Sequence, residues 1–86
     1  MIFKIVFKRI AEKELEQLPN NIILKTIEAI KELAINPKPN GYKKLKGKYE
    51  DLFRIRIGDY RIIYSVETVI KIIEIRKVGH RKDIYK

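Results

Sequence analysis

Between Leu52 and Val66 the chain alternates without a break. Phe53, Ile55 and Ile57 fall on one parity and Leu52, Arg54 and Arg56 on the other; after Gly58-Asp59, Tyr60, Ile62, Tyr64 and Val66 alternate with Arg61, Ile63 and Ser65. A period of two fits only a strand, because successive side chains leave opposite faces of a pleated backbone. Gly-Asp between two such runs is a hairpin turn signal. The segment therefore predicts an antiparallel pair with one apolar face. The same parity forces Arg54, Arg56 and Arg61 onto the other face, since a one-residue slip would invert every side chain.

The rest of the chain has to cover the apolar side. Ile2 to Phe7 alternates around Lys4 and predicts a first strand. From Lys8 the period lengthens: Ala11, Leu15 and Leu18 form one stripe, with Glu12, Glu14 and Glu16 largely off it. Pro19 sits where a second helix begins, a position at which its missing N–H costs nothing. That helix carries Ile23, Ile27, Ile30 and Ala34 along one face, with Leu24 and Leu33 beside it, and stops at Asn36-Pro37-Lys38-Pro39-Asn40-Gly41. Glu67-Thr68 predicts a further turn and Val69 to Val78 a last strand, whose parity is ambiguous because isoleucine occupies both odd and even positions. The expected architecture is α+β: an N-terminal strand, an antiparallel two-helix hairpin, then a three-stranded antiparallel meander, with the helices on one face of a curved sheet. Residues 1–86 read as one domain.

Charge is uneven along the chain. Residues 1–36 carry six Lys/Arg against five Asp/Glu, whereas residues 37–86 carry fourteen against six, within a net charge of +9. A concentrated cation attracts polyanions by releasing their condensed counterions. With no cysteine there is neither a disulfide framework nor a thiolate metal site. No run approaches the roughly 18 apolar residues of a membrane span, and no cleavable leader is recognisable. The expectation is a soluble cytoplasmic protein with no metal, no small-molecule cofactor and no membrane partner.

Clustered guanidinium groups on a rigid sheet make a phosphate-binding surface, because each offers forked donors and a charge that does not titrate. Arg81 and Tyr85 leave the last strand near one end of that sheet, and Lys43, Lys44, Lys46 and Lys48 supply a basic run suited to gripping an RNA backbone. Each assignment has a plainer competitor. Arg54 and Arg56 could be ordinary solvated residues, Arg61 could pair with Asp59 or Glu74 to hold the hairpin, His80 could cap a strand end, and Tyr85 could fray. Tyr60 and Tyr64 share parity with Ile62 and are expected in the core.

Three ordered segments together resemble the signature series of the RelE/ParE toxin superfamily: Lys44-Leu45-Lys46-Gly47, then Leu52 through Tyr64, then Val78 through Tyr85. The resemblance spans the chain. It implies the RelE-like fold and a toxin that a cognate antitoxin wraps and neutralises. In the ribonuclease branch of that superfamily, messenger RNA is cut in the ribosomal A site by attack of its own 2′-hydroxyl on the adjacent phosphate. By that resemblance Arg61 matches the arginine that stabilises the transition state, Arg81 the second catalytic arginine, and Tyr85 a C-terminal tyrosine that stacks on a base or orients the nucleophile. Arg54 and Arg56 stand where RelE itself carries two lysines. This departure matters, since arginine cannot serve as a base while a crowded lysine can. The base then falls to His80 or Tyr85, with Glu50, Asp51 and Glu74 behind them, or to the ribosome or RNA.

Two other functions are compatible with the sequence. A ParE-like toxin would share the fold and inhibit DNA gyrase without cleaving anything, and a passive RNA-binding module would not be toxic at all.

Overall fold

The computed structural model describes residues 2–49 and 51–85. Its elements are β1 (Lys4–Phe7), α1 (Arg9–Glu16), α2 (Asn20–Ile35), β2 (Lys43–Lys44), β3 (Phe53–Ile57), β4 (Tyr60–Glu67) and β5 (Ile72–His80), with a 3-10 turn over Gly47–Tyr49. The five strands form one open sheet in the order β1-β5-β4-β3-β2. All neighbours are antiparallel except β1, which runs parallel to β5 in the register Ile5↔Ile73 and Phe7↔Ile75. The predicted α+β class and meander hold. The two-residue β2 adds a strand that is too short to show a period.

The β3–β4 hairpin has the predicted register, with Ile57↔Tyr60 closing the turn and Gly58 supplying the positive φ of 59° at its first central position. Phe53↔Tyr64 and Ile55↔Ile62 face the helices, as parity requires. The ambiguous last strand resolves through a bulge. Ile63 pairs with Lys77 but Tyr64 pairs with Ile75, so Arg76 is an extra residue in β5. Parity therefore switches across it, and odd-numbered Ile73 and Ile75 share the core with even-numbered Val78. The strand starts at Ile72 rather than Val69, because residues 68–71 form the turn and Lys71 takes a left-handed φ of 56°.

The core lies between the helices and one sheet face and comprises Phe3, Ala11, Ile30, Leu33, Ile55, Ile62, Tyr64, Ile73, Ile75 and Val78. α1 places Ala11 as expected, with Leu15 and Leu18 half-buried beside it. α2 is rotated from its predicted face: Thr26, Ile30 and Leu33 point inward, while Leu24 and Ile27 are exposed. Glu14 of α1 extends the fixing of β5 beyond the end of β1, accepting the Val78 N–H at 3.1 Å. Tyr64 donates its hydroxyl to the Pro37 carbonyl at 2.7 Å, tying the loop after α2 to the sheet. Among the described residues no helix is long and apolar enough to cross a membrane.

Candidate functional site

The sheet face turned away from the core cluster carries the arginines. Arg56 and Arg61 are direct cross-strand partners, and Arg54 stands beside Ile63 two residues farther from the turn. β2 adds Lys43, which pairs with Arg54 and so shares its face, whereas Lys44 pairs with Phe53 on the opposite parity. Lys46 and Lys48 are exposed beyond β2.

Arg61 is 8% exposed, and its Nη1 donates to the carbonyls of Gly58 and Tyr60, both at 3.0 Å. The hairpin turn thereby holds the guanidinium, leaving its Nε and Nη2 donors out of these two bonds. Arg61 pairs with neither Asp59 nor Glu74. Asp59 faces Arg81, with Nε to Oδ1 at 3.4 Å, and Glu74 faces Arg76 at 2.7 Å. Burial first, then the nearby Arg56 and Arg54 cations, hold the Arg61 guanidinium below the ordinary arginine value; Tyr85 acts in the opposite sense, and Arg81 adds to the depression. Arg54, Arg56, Arg81 and Tyr85 are thus each within electrostatic reach of Arg61.

The chain's tail reaches this cluster by folding back. The Arg81 N–H donates to the Asp59 carbonyl at 2.8 Å, and the N–H groups of Asp83 and Ile84 both donate to the His80 carbonyl, making one helical turn. Ile84 is 2% exposed yet lies outside the helix-side cluster. A Cβ on Gly79, which pairs with Arg61, would meet Ile84 Cδ1 at 3.5 Å. Ile84 therefore anchors the turn over Gly79, and Tyr85, 40% exposed, is presented beside the arginines. A short terminal segment fixed in this way is not expected to fray as free tails do.

His80 is not brought into the cluster. It pairs with Tyr60 on the helix-side parity, meets that ring edge-on at 5.4 Å, and accepts the Lys82 N–H on Nδ1 at 3.2 Å. Of the other proton acceptors named from sequence, Glu74 is engaged by Arg76 and lies opposite Ser65, four residues along β4 from Arg61. Asp51 lines a separate recess of about 570 Å³ with Lys44, Lys48, Ser65, Glu67 and Arg76. Glu50 lies outside the described residues. Among the described residues no group of three or more His, Asp or Glu side chains is placed to hold a metal ion.

Sequence reasoning passed over two features. Lys77 joins the open face opposite Ile63, which only the bulge at Arg76 reveals. Arg54 is 8% exposed and its buried Nε has no hydrogen-bond partner, so this guanidinium is held in the sheet with a donor unsatisfied. Such a donor is costly to leave unmade and is met at sites that receive a ligand.

Comparison with known proteins agrees with this architecture. Residues 5–85 match the model for the ParE toxin of type II toxin–antitoxin systems. The chain is 36% identical over 89 residues to the candidate toxin RelE1 of Methanocaldococcus jannaschii, covering all of this chain and 98% of that one. It is 31% identical over 87 residues to toxin RelG of Mycobacterium tuberculosis, covering all of this chain and 99% of that one. Its fold superposes with a TM-score of 0.83 on a crystal structure of the archaeal RelE–RelB complex from Pyrococcus horikoshii, at 33% identity over 96% of this chain and 99% of the other.

Proposed function

The chain belongs to the ParE toxin family of type II toxin–antitoxin systems, and from that premise we propose that it is a messenger-cleaving member, a ribosome-dependent endoribonuclease acting in the A site. The observation that carries this is the gathering of Arg54 and Arg56 from the sheet, and of Arg81 and Tyr85 from the turn after β5, around Arg61. The partners would be messenger RNA on the ribosome and a cognate antitoxin protein, the latter supported by the toxin–antitoxin complex that the fold matches. Work on ribosomes makes the cytoplasm its place of action.

The reaction is a transesterification. The 2′-oxygen bonds to the adjacent phosphorus, the P–O5′ bond breaks, and the products are a 2′,3′-cyclic phosphate and a 5′-hydroxyl. A proton leaves the 2′-OH and one is delivered to O5′. Negative charge grows on the non-bridging oxygens between these events, and a preorganised guanidinium aimed there stabilises it. Arg61 suits this role because its Nη1 is already fixed by two carbonyls, so little reorganisation is needed. Arg81 is tethered by an exposed ion pair of 3.4 Å, a contact worth little in water and easily exchanged for phosphate. Arg54 and Arg56 clamp the flanking backbone. Tyr85, which acts on Arg61 from the turn after β5, is assigned to orient or deprotonate the nucleophile.

Ribosomes programmed with a defined messenger supply the test. Arg61→Ala and Arg81→Ala should each slow cleavage by roughly a hundred- to a thousandfold. A double variant cutting at the wild-type rate would overturn the assignment. The family model's ParE designation favours a second reading, a gyrase inhibitor without nuclease activity. An intact messenger together with blocked gyrase supercoiling would establish that reading instead.

A further inference from the structure

Beside the arginine cluster the open face is not flat. Lys8, Ile10, Leu52, Ile63, Arg76 and Lys77 surround a recess of about 320 Å³. Ile63 forms part of its lining and is fully buried although it is outside the helix-side cluster, and Leu52 is half-buried. The rim is cationic. Ile63 lies two residues along β4 from Arg61, roughly 7 Å, and directly across from Arg54 with its unsatisfied Nε.

We propose that this recess is a nucleobase subsite, receiving the base next to the phosphate held by Arg61, and so deepening the ribonuclease reading on which it rests. An apolar floor takes the face of a planar base, while the rim cations meet its polar edge and its phosphate. Continuity with the arginine cluster favours a nucleotide over a protein side chain.

The test uses programmed ribosomes and synthetic messengers with an abasic nucleotide at each position flanking the cut. In the wild type, one position should raise the toxin concentration for half-maximal cleavage about tenfold. Ile10→Ser, at an exposed side chain, and Ile10→Ser with Leu52→Ser should blunt that response to less than about twofold. The wild-type comparison needs no variant to fold. Cleavage that depends on Arg61 but ignores every base deletion would sink the subsite and leave the nuclease standing. A wild-type protein that cuts no messenger would sink both. A recess variant with an unaltered messenger response but a weakened antitoxin complex would make the recess a protein-docking feature and overturn the proposal.

Discussion

Arg56→Gln should make the protein more stable while making it a worse toxin. Arg56 is exposed, so its removal forfeits little burial. Among the described residues it makes no ion pair, and its cross-strand partner is another arginine, Arg61. Directly opposed like charges, about 5 Å apart at Cβ, destabilise a sheet by about 0.2–1 kcal/mol. Arg54 and Arg81 also act on Arg61, so a relief near 0.5 kcal/mol, about the middle of that range, is expected. For a domain of this size that raises the melting temperature by roughly 2–4 °C.

The penalty cannot be titrated away. Burial first, then the neighbouring cations, move the Arg61 equilibrium downward, but guanidinium stays protonated across any pH at which the protein is folded. Its signature is salt instead. Thermal melts at about 0.01 M and about 1 M salt bracket screening lengths of roughly 30 and 3 Å. The gain from Arg56→Gln should be present at low salt and largely gone at high salt, and the cleavage rate should fall. A variant equally stable or less stable at low salt, or a difference indifferent to salt, would refute the claim that the cations strain one another.

Two further substitutions probe the scaffold. Thr26 is fully buried with no partner for Oγ1, so Thr26→Val should stabilise the protein by about 1 kcal/mol in urea unfolding. Tyr64→Phe should cost about 1 kcal/mol by removing the hydrogen bond to Pro37. Burial first, with Tyr42 adding, holds the Tyr64 phenol well above its ordinary value of 10.0. The folded state therefore keeps a proton that the unfolded chain releases. That contribution is complete below about pH 10 and is lost as pH climbs toward the folded value. Wild-type stability should decline above about pH 10, and the part of the decline due to this residue should be missing in Tyr64→Phe.

What the sequence could convey depended on whether one local rule decided the matter. In β3 and β4 every residue obeys the same parity, so the convergence of Arg54, Arg56 and Arg61 could be deduced before any coordinates. In β5 the rule is broken once. The bulge at Arg76 inserts a residue that the pattern does not register, since the isoleucines of both parities all precede it, and it is this insertion that sends Lys77 to the arginine face and His80 away from it. α2 misled for a different reason: the core took Thr26, a less apolar residue, over Ile27. The helix axis is set by packing against the strands, and a polar hydroxyl on the inner face costs less than rotating Ile30 and Leu33 outward. The tail illustrates the limit of periodicity. Nothing in the pattern of residues 79–85 places Ile84 over Gly79, yet that packing, with the N–H groups of Asp83 and Ile84 bonded to the His80 carbonyl, separates a frayed tail from a tyrosine presented to Arg61. The site is therefore legible where it is built into the sheet and hidden where tertiary contact alone assembles it. Ile84→Ser isolates the hidden half: it should reduce cleavage as Tyr85→Phe does while leaving the β3–β4 hairpin and its arginines in place.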